Sequence, residues 1–253
     1  MYLELPIFST GETMRVRLDR VLARASSQFQ DILVVISEEF GKCLIIDNVM
    51  QCAESDHEIY DREMLKPLRP TDSCLVILGG GDGCIAQMAL RGNPHSSVTV
   101  VDLDPMVVEA CETHLGLSVF HDPRVTLCIQ DVTAYLQSRR NTALPKCDGI
   151  VCDLTDSPVG SGDRKTFEEF YEKLISLSYD NLSDRGWMSV QAGASGTTGD
   201  YIDAAGVLSE ILASRFDKVS RSDAYVPSFG EACAFLFASK DGPELSPQWH
   251  RLK

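Results

Sequence analysis

The stretch Cys74-Leu-Val-Ile-Leu-Gly-Gly-Gly-Asp-Gly83 decides the fold. An unbroken apolar run reads as a strand, and glycines directly after it let the chain turn sharply and let a ligand approach the backbone. A helix is predicted from Gly83. Working outward, the same alternation repeats: Val98–Val101, a helix from Pro105, Val125–Ile129, a helix from Val132, then Gly149–Cys152. Beyond these come a helix over Phe167–Ser178, the strand Trp187–Gln191 and a helix over Tyr201–Ser214. Two late strands, Lys218–Ser220 and Cys233–Ala238, close the series. Repeated strand–helix units predict a mostly parallel sheet with helices on both faces, a Rossmann-type α/β fold of the class I methyltransferase-like pattern. The two late strands, joined by a loop alone, predict an antiparallel hairpin at the sheet edge.

Upstream, to about residue 54, helical periodicity is absent. Met14 to Leu18 alternates apolar and basic residues. Ile32–Ser37 and Cys43–Ile46 are β-branched runs split by Phe40-Gly41-Lys42, and Asp47-Asn48 precedes Val49-Met50-Gln51. This predicts a small antiparallel β domain over 1–54, a Rossmann-like catalytic domain over 55–240, and a polar, proline-bearing tail over 241–253.

The 253 residues, 44% of them hydrophobic, suffice for one sizeable core with a small appendage. A formal net charge of -14 repels nucleic-acid phosphates and anionic membranes and attracts cations, so no nucleic-acid or membrane partner is expected. Nine cysteines, with no C-x-x-C pair and no Cys/His cluster at zinc spacing, read as reduced thiols, several inside apolar runs (Cys74, Cys128, Cys152). Neither disulfides nor a metal are expected. No targeting segment is read, and a cytoplasmic location follows as an expectation.

The strand ends carry the chemistry. Asp102 closes the strand after the glycine turn, about 20 residues on, the distance at which an acid takes ribose hydroxyls. Asp131 follows the next strand, where a carboxylate can accept an adenine amino group. The turn lacks the G-x-G-x-x-G order, so adenosine attached to something other than pyrophosphate fits better than a dinucleotide. The alternative reading of the glycine run is a plain strand-to-helix turn, and that of Asp82 a helix cap.

The run Gly79-Gly80-Gly81-Asp82-Gly83 closely resembles the core motif of the spermidine/spermine synthase (polyamine aminopropyltransferase) family, and other segments resemble it in order along nearly the whole chain. Gln30-Asp31-Ile32 matches a family segment, with Phe29 in place of its tyrosine. Phe40-Gly41-Lys42, Gln51–Asp56, Asp153-Leu154-Thr155-Asp156 and Val226-Pro227-Ser228-Phe229 match in turn. Cys84 departs from the pattern, where the family carries glycine.

The resemblance implies transfer of an aminopropyl group from decarboxylated S-adenosylmethionine, a co-substrate rather than a resident cofactor, to a polyamine. It implies cofactor contacts at Gln30, Gln51, Gly79, Gly80, Gly81, Asp82, Asp102, Leu103, Asp131 and Val132. Asp82 would meet the ammonium that decarboxylation leaves and repel the carboxylate of the parent cofactor. At about 4 Å and an effective dielectric near 20 such a pair is worth about 4 kcal/mol before desolvation. Related plant methyltransferases lack this acid. Asp153 would be the general base, Asp156 a second ammonium contact, and Asp56 and Tyr60, one helical turn apart, further contacts around the amine. A carboxylate at its usual pKa near 4 is a weak base for an amine, so positioning is expected to carry much of the effect.

For the acceptor, Phe229, Glu231 and Gln191 are the candidate contacts. The acid at Glu231 matches spermine synthases and suits a further ammonium, which favours spermidine over putrescine. Residues 157–166, rich in Pro, Gly and Ser, could close over the substrates. The partners implied are small polyamines and a second copy of the chain in a homodimer. Two rivals stay open here: a methyltransferase on the same fold, and an inactive polyamine-binding relative.

Overall fold

In the computed structural model, residues 1–154, 164–196 and 202–240 are described. The first sheet is a five-stranded antiparallel meander, β1 (Tyr2–Pro6), β2 (Thr13–Ser26), β3 (Asp31–Ser37), β4 (Gly41–Ile46) and β5 (Val49–Ala53), paired in chain order. Asp47 and Asn48 join β4 to β5 with positive φ at both positions, the two-residue hairpin geometry that Asn and Asp tolerate. β1 and the full length of β2 escape the sequence reading. β2 faces solvent along much of its 14 residues and its register against β3 shifts twice, which blurs the apolar alternation.

After α1 (His57–Met64), strands β6 (Cys74–Gly79), β7 (Ser97–Asp102), β8 (Val125–Ile129), β9 (Cys147–Asp153) and β10 (Leu182–Ala194) form a parallel array. They alternate with α2 (Cys84–Gly92), α3 (Pro105–His114), α4 (Val132–Arg140), α5 (Arg164–Asn181) and α6 (Ala204–Ala213). β11 (Lys218–Val226) and β12 (Glu231–Ser239) complete a seven-stranded sheet ordered β11-β12-β10-β9-β6-β7-β8. The late hairpin is antiparallel and at the edge, as the sequence predicts, with β12 lying between β10 and β11.

The unbroken apolar runs follow from burial on both faces. Along β6, Val76 and Leu78 pack into the cluster built with α4, α5 and α6, while Leu75 and Ile77 pack with Met64, Leu65 and α2. A further cluster docks the first sheet: Ile32, Val34, Leu44, Ile46 and Cys52 meet Cys84, Val107 and Cys111.

The strand order reverses between β6 and β9. β6 leads out through β7 and β8 on one side, and β9 through β10 on the other, so a crevice opens at their carboxyl ends. Gly79 and Asp153 are register partners there. A Cβ at Gly79, whose φ is +84°, would lie 1.9 Å from the Asp153 carbonyl oxygen, so only glycine lets the two strand ends meet.

Candidate active site

A cavity of about 310 Å³ fills this crevice. Its floor is the sheet edge and its wall the first sheet, through residues such as Leu5, Met14, Leu44 and Met50. Of the residues expected from sequence, Gln30, Gln51, Tyr60, Gly79, Gly80, Gly81, Asp82, Asp102, Leu103, Asp131, Val132, Asp153, Gln191, Phe229 and Glu231 all line it. Asp156 and most of the 157–166 loop lie outside the described residues, as do the tail 241–253 and Tyr201.

At one end the strand-terminal acids are aimed by backbone donors. Asp102 accepts from Gly81 N at 2.9 Å and Asp104 N at 2.9 Å. Burial nonetheless pushes its carboxyl above the ordinary value, with the charges of Asp104 and Asp82 adding to the effect. Asp131 caps α4, accepting from Ala134 N at 2.8 Å and Thr133 Oγ1 at 2.6 Å. Burial opposes its ionisation, but these bonds outweigh it and hold the carboxyl below its usual range. Asp104, which caps α3, is buried and accepts from Ser27 Oγ at 2.6 Å and Gln30 Nε2 at 3.0 Å. It pins the β2–β3 turn and holds the Gln30 side chain in the cavity wall.

The centre holds Asp82, Asp153 and Tyr60. Asp82 accepts from Cys84 N at 2.9 Å, while Gly83 holds the N-cap position of α2. Its carboxyl is raised above the ordinary value, first by burial. Tyr60 donates to Asp153 Oδ1 at 2.5 Å, and its ring is fixed edge-on against Phe229 and Phe235 at 5.9 and 5.2 Å. Asp153 is pushed up to about 8, mainly by burial and then by the charge of Asp82, with the Tyr60 bond opposing. This revises the expectation of an ordinary carboxylate: a group of this pKa is a far better proton acceptor for an amine than one near 4.

Asp56 borders the small void beside Tyr60, Asp82 and Asp153 and not the large cavity. It is buried, and its two oxygens accept from Ser228 N at 2.7 Å and Ser228 Oγ at 2.8 Å. It fastens the start of α1 to the Val226–Gly230 loop and so sets Phe229, rather than lining the large cavity. Glu231 lies at the cavity wall as expected, but Ser9 N donates to its Oε2 at 2.7 Å and the Phe8 backbone adds a second bond. Its carboxyl is raised by burial against those bonds.

Behind the cavity, a small void of about 20 Å³ is lined by Cys52, Asp56, His57, Asp61, Asp82 and Asp153 among others. His57 Nδ1 pairs with Asp61 Oδ2 at 2.7 Å, and that bond raises the imidazole to about 11, a protonated cation at neutral pH. The sequence reading singled out neither His57 nor Asp61. Their i, i+4 spacing on α1 is the signal that could have found them.

A sequence profile of the spermine/spermidine synthase domain matches residues 64–246, and one of the spermidine synthase tetramerisation domain matches residues 7–54. The chain belongs to the spermine/spermidine synthase family. Similar family members include a polyamine aminopropyltransferase of Sulfolobus acidocaldarius, 30% identical over 88% of this chain and 72% of its own. A thermospermine synthase of Arabidopsis thaliana is 30% identical over 88% of this chain and 65% of its own length. A spermidine synthase solved in complex with the transition-state analogue AdoDATO superposes with a TM-score of 0.83 at 19% identity, over 98% of this chain and 82% of that one. The fold is therefore that of the family. No helix among the described residues is long and apolar enough to cross a membrane.

Proposed function

We propose that this protein transfers the aminopropyl group of decarboxylated S-adenosylmethionine to a polyamine amine, releasing 5'-methylthioadenosine, with spermidine as the preferred acceptor. The observation that carries the reading is the juxtaposition, in one cavity, of a nucleoside-type end (Asp102, Asp131) with a half-buried pair of carboxyl groups (Asp82, Asp153), the second hydrogen-bonded by Tyr60. Asp102 and Asp131 take the ribose and adenine. Asp82 faces the propyl ammonium, for which a buried acid is the matching partner and which the parent cofactor's own carboxylate would oppose. Deprotonated Asp153, the form favoured above about pH 8, takes a proton from the acceptor nitrogen as its lone pair attacks the methylene beside the sulfonium. The C–N bond forms, the C–S bond breaks, and the sulfur leaves as a neutral thioether, needing no acid. Tyr60 holds Asp153 in line. Asp156, in the segment after Asp153, is assigned a second ammonium.

Glu231, a carboxylate on the wall beside Phe229 and Gln191, supports a triamine with a charge to spare, and the thermospermine synthase among the relatives fits an acceptor of that length. Nine free thiols support a reducing, cytoplasmic setting. The match of residues 7–54 to a tetramerisation domain supports self-association, and light scattering distinguishes a dimer from a tetramer. The test of the activity is mass spectrometry of products from decarboxylated S-adenosylmethionine with putrescine and spermidine in competition. Tetraamine and methylthioadenosine are expected. Methyl transfer from S-adenosylmethionine, or no turnover, would overturn the reading.

A further inference from the structure

The fold brings together thiols that sequence spacing keeps 32 residues apart. Cys52, at the end of β5, and Cys84, the first residue of α2, are both buried, with their sulfurs 3.6 Å apart. A carboxylate oxygen of Asp82 lies with both sulfurs inside a mutual radius of 4.8 Å. His57 and Asp61 lie with Cys84 within the same limit.

The sulfur separation is informative. Two thiolates on one tetrahedral zinc ion, at about 2.3 Å each, stand about 3.8 Å apart, whereas a disulfide requires about 2.05 Å. The side chains therefore already sit near the bite of a metal. The adjoining void of about 20 Å³, lined by Cys52, His57, Asp61 and Asp82, has room for one water, the usual fourth ligand of an open site. It shares Gln51, Tyr60, Asp82, Asp153 and Phe229 with the large cavity, which gives an ion its route in. Asp56, Asp61, Asp82 and Asp153 border the void beside His57, so oxygen ligands adjoin the thiols there.

We propose that Cys52, Cys84 and Asp82 form a binding site for a thiophilic divalent cation such as Zn²⁺, and that the bound ion shuts the enzyme by taking the carboxylate that would receive the co-substrate's ammonium. The competition rests on the function proposed above; the site itself does not. Linear spacing, from which no metal is expected, carries no trace of this pair, because β5 and α2 meet only in the folded chain. On binding, the ion displaces the two thiol protons to solvent, and the resulting thiolates supply the softness that selects zinc or cadmium over magnesium, calcium and the polyamines themselves. Cys84 stands where the family that the sequence resembles carries glycine, so the device belongs to this chain rather than to the chemistry of the site.

The test uses untagged, reduced, chelator-treated full-length protein. Zn²⁺ is titrated against a chromophoric chelator, and Co²⁺ is added separately to read thiolate-to-metal charge transfer in the near ultraviolet. One Zn²⁺ per chain is expected for the parent and for Cys128→Ser. A loss of affinity of at least tenfold, with loss of the cobalt band, is expected for Cys52→Ser and Cys84→Ala. Retained binding of methylthioadenosine shows that the variants fold. A parent that takes up no more zinc than Cys84→Ala overturns the site. In kinetics, zinc should raise the KM for decarboxylated S-adenosylmethionine in the parent and leave Cys84→Ala unaffected. Stoichiometric zinc bound through both cysteines with KM unchanged overturns the competition, whereas the role given to Asp82 falls separately if Asp82→Ile weakens the co-substrate and methylthioadenosine equally.

Discussion

Replacing Asp153 by Asn tests the electrostatics of the site without a substrate. The carboxyl is held protonated by burial and by Asp82, with its pKa moved from 3.8 to about 8. In the unfolded chain it ionises near 4. Between these values the native state binds a proton that the unfolded state has lost, so unfolding free energy falls as pH rises through the window. One proton gives a slope of at most about 1.4 kcal/mol per pH unit. From pH 5 to pH 7 the parent should therefore lose up to about 2.7 kcal/mol relative to Asp153→Asn, whose amide does not titrate. The assay is urea denaturation of both proteins from pH 4.5 to 9, taking the difference at each pH to cancel groups common to both. Parallel curves across pH 5–7 would mean that Asp153 is ionised throughout and would refute the argument. The same substitution should lower turnover by orders of magnitude while methylthioadenosine still binds.

Asp82→Ile should weaken decarboxylated S-adenosylmethionine far more than methylthioadenosine in calorimetric titrations, since the ammonium belongs to the first alone; equal losses would leave Asp82 as a cap. Glu231→Gln should raise the KM for spermidine by roughly tenfold, about 1.4 kcal/mol, and leave putrescine almost unchanged. Equal effects on both amines would assign Glu231 to holding the Phe8–Ser9 backbone. Gly149→Ala should destabilise the fold by about 1–3 kcal/mol or more, read as a lower urea midpoint, because the new methyl would sit 2.3 Å from the Trp187 ring. An unchanged midpoint would mean that the ring shifts freely.

The parallel sheet was legible because its strands are buried on both faces and read as unbroken apolar runs, β6 and β9 above all. The cavity lining was legible at strand ends, as at Asp102, Asp131 and Asp153. Asp56 shows the limit: nothing in its sequence position announces the two bonds it accepts from Ser228, 172 residues away. The raised pKa of Asp153 was invisible for the same reason, since burial and the charge of Asp82 are properties of the folded assembly. The thiol pair and the clasp from Asp104 to Ser27 and Gln30 depend on contacts between the two sheets, which no local pattern encodes.

Because the cavity is walled by the first sheet and floored by the second, a nucleoside bound there acts as a bolt between two separately hydrogen-bonded bodies. Opening of the first sheet away from the second would have to expel the ligand. Occupancy and closure thus become one equilibrium, and methylthioadenosine at one hundred times its dissociation constant would deepen closure by about 2.7 kcal/mol. Amide hydrogens of β3 and β4, far from any catalytic acid in sequence, would then exchange more slowly in proportion to ligand, making the small sheet a reporter of how full the large one's crevice is.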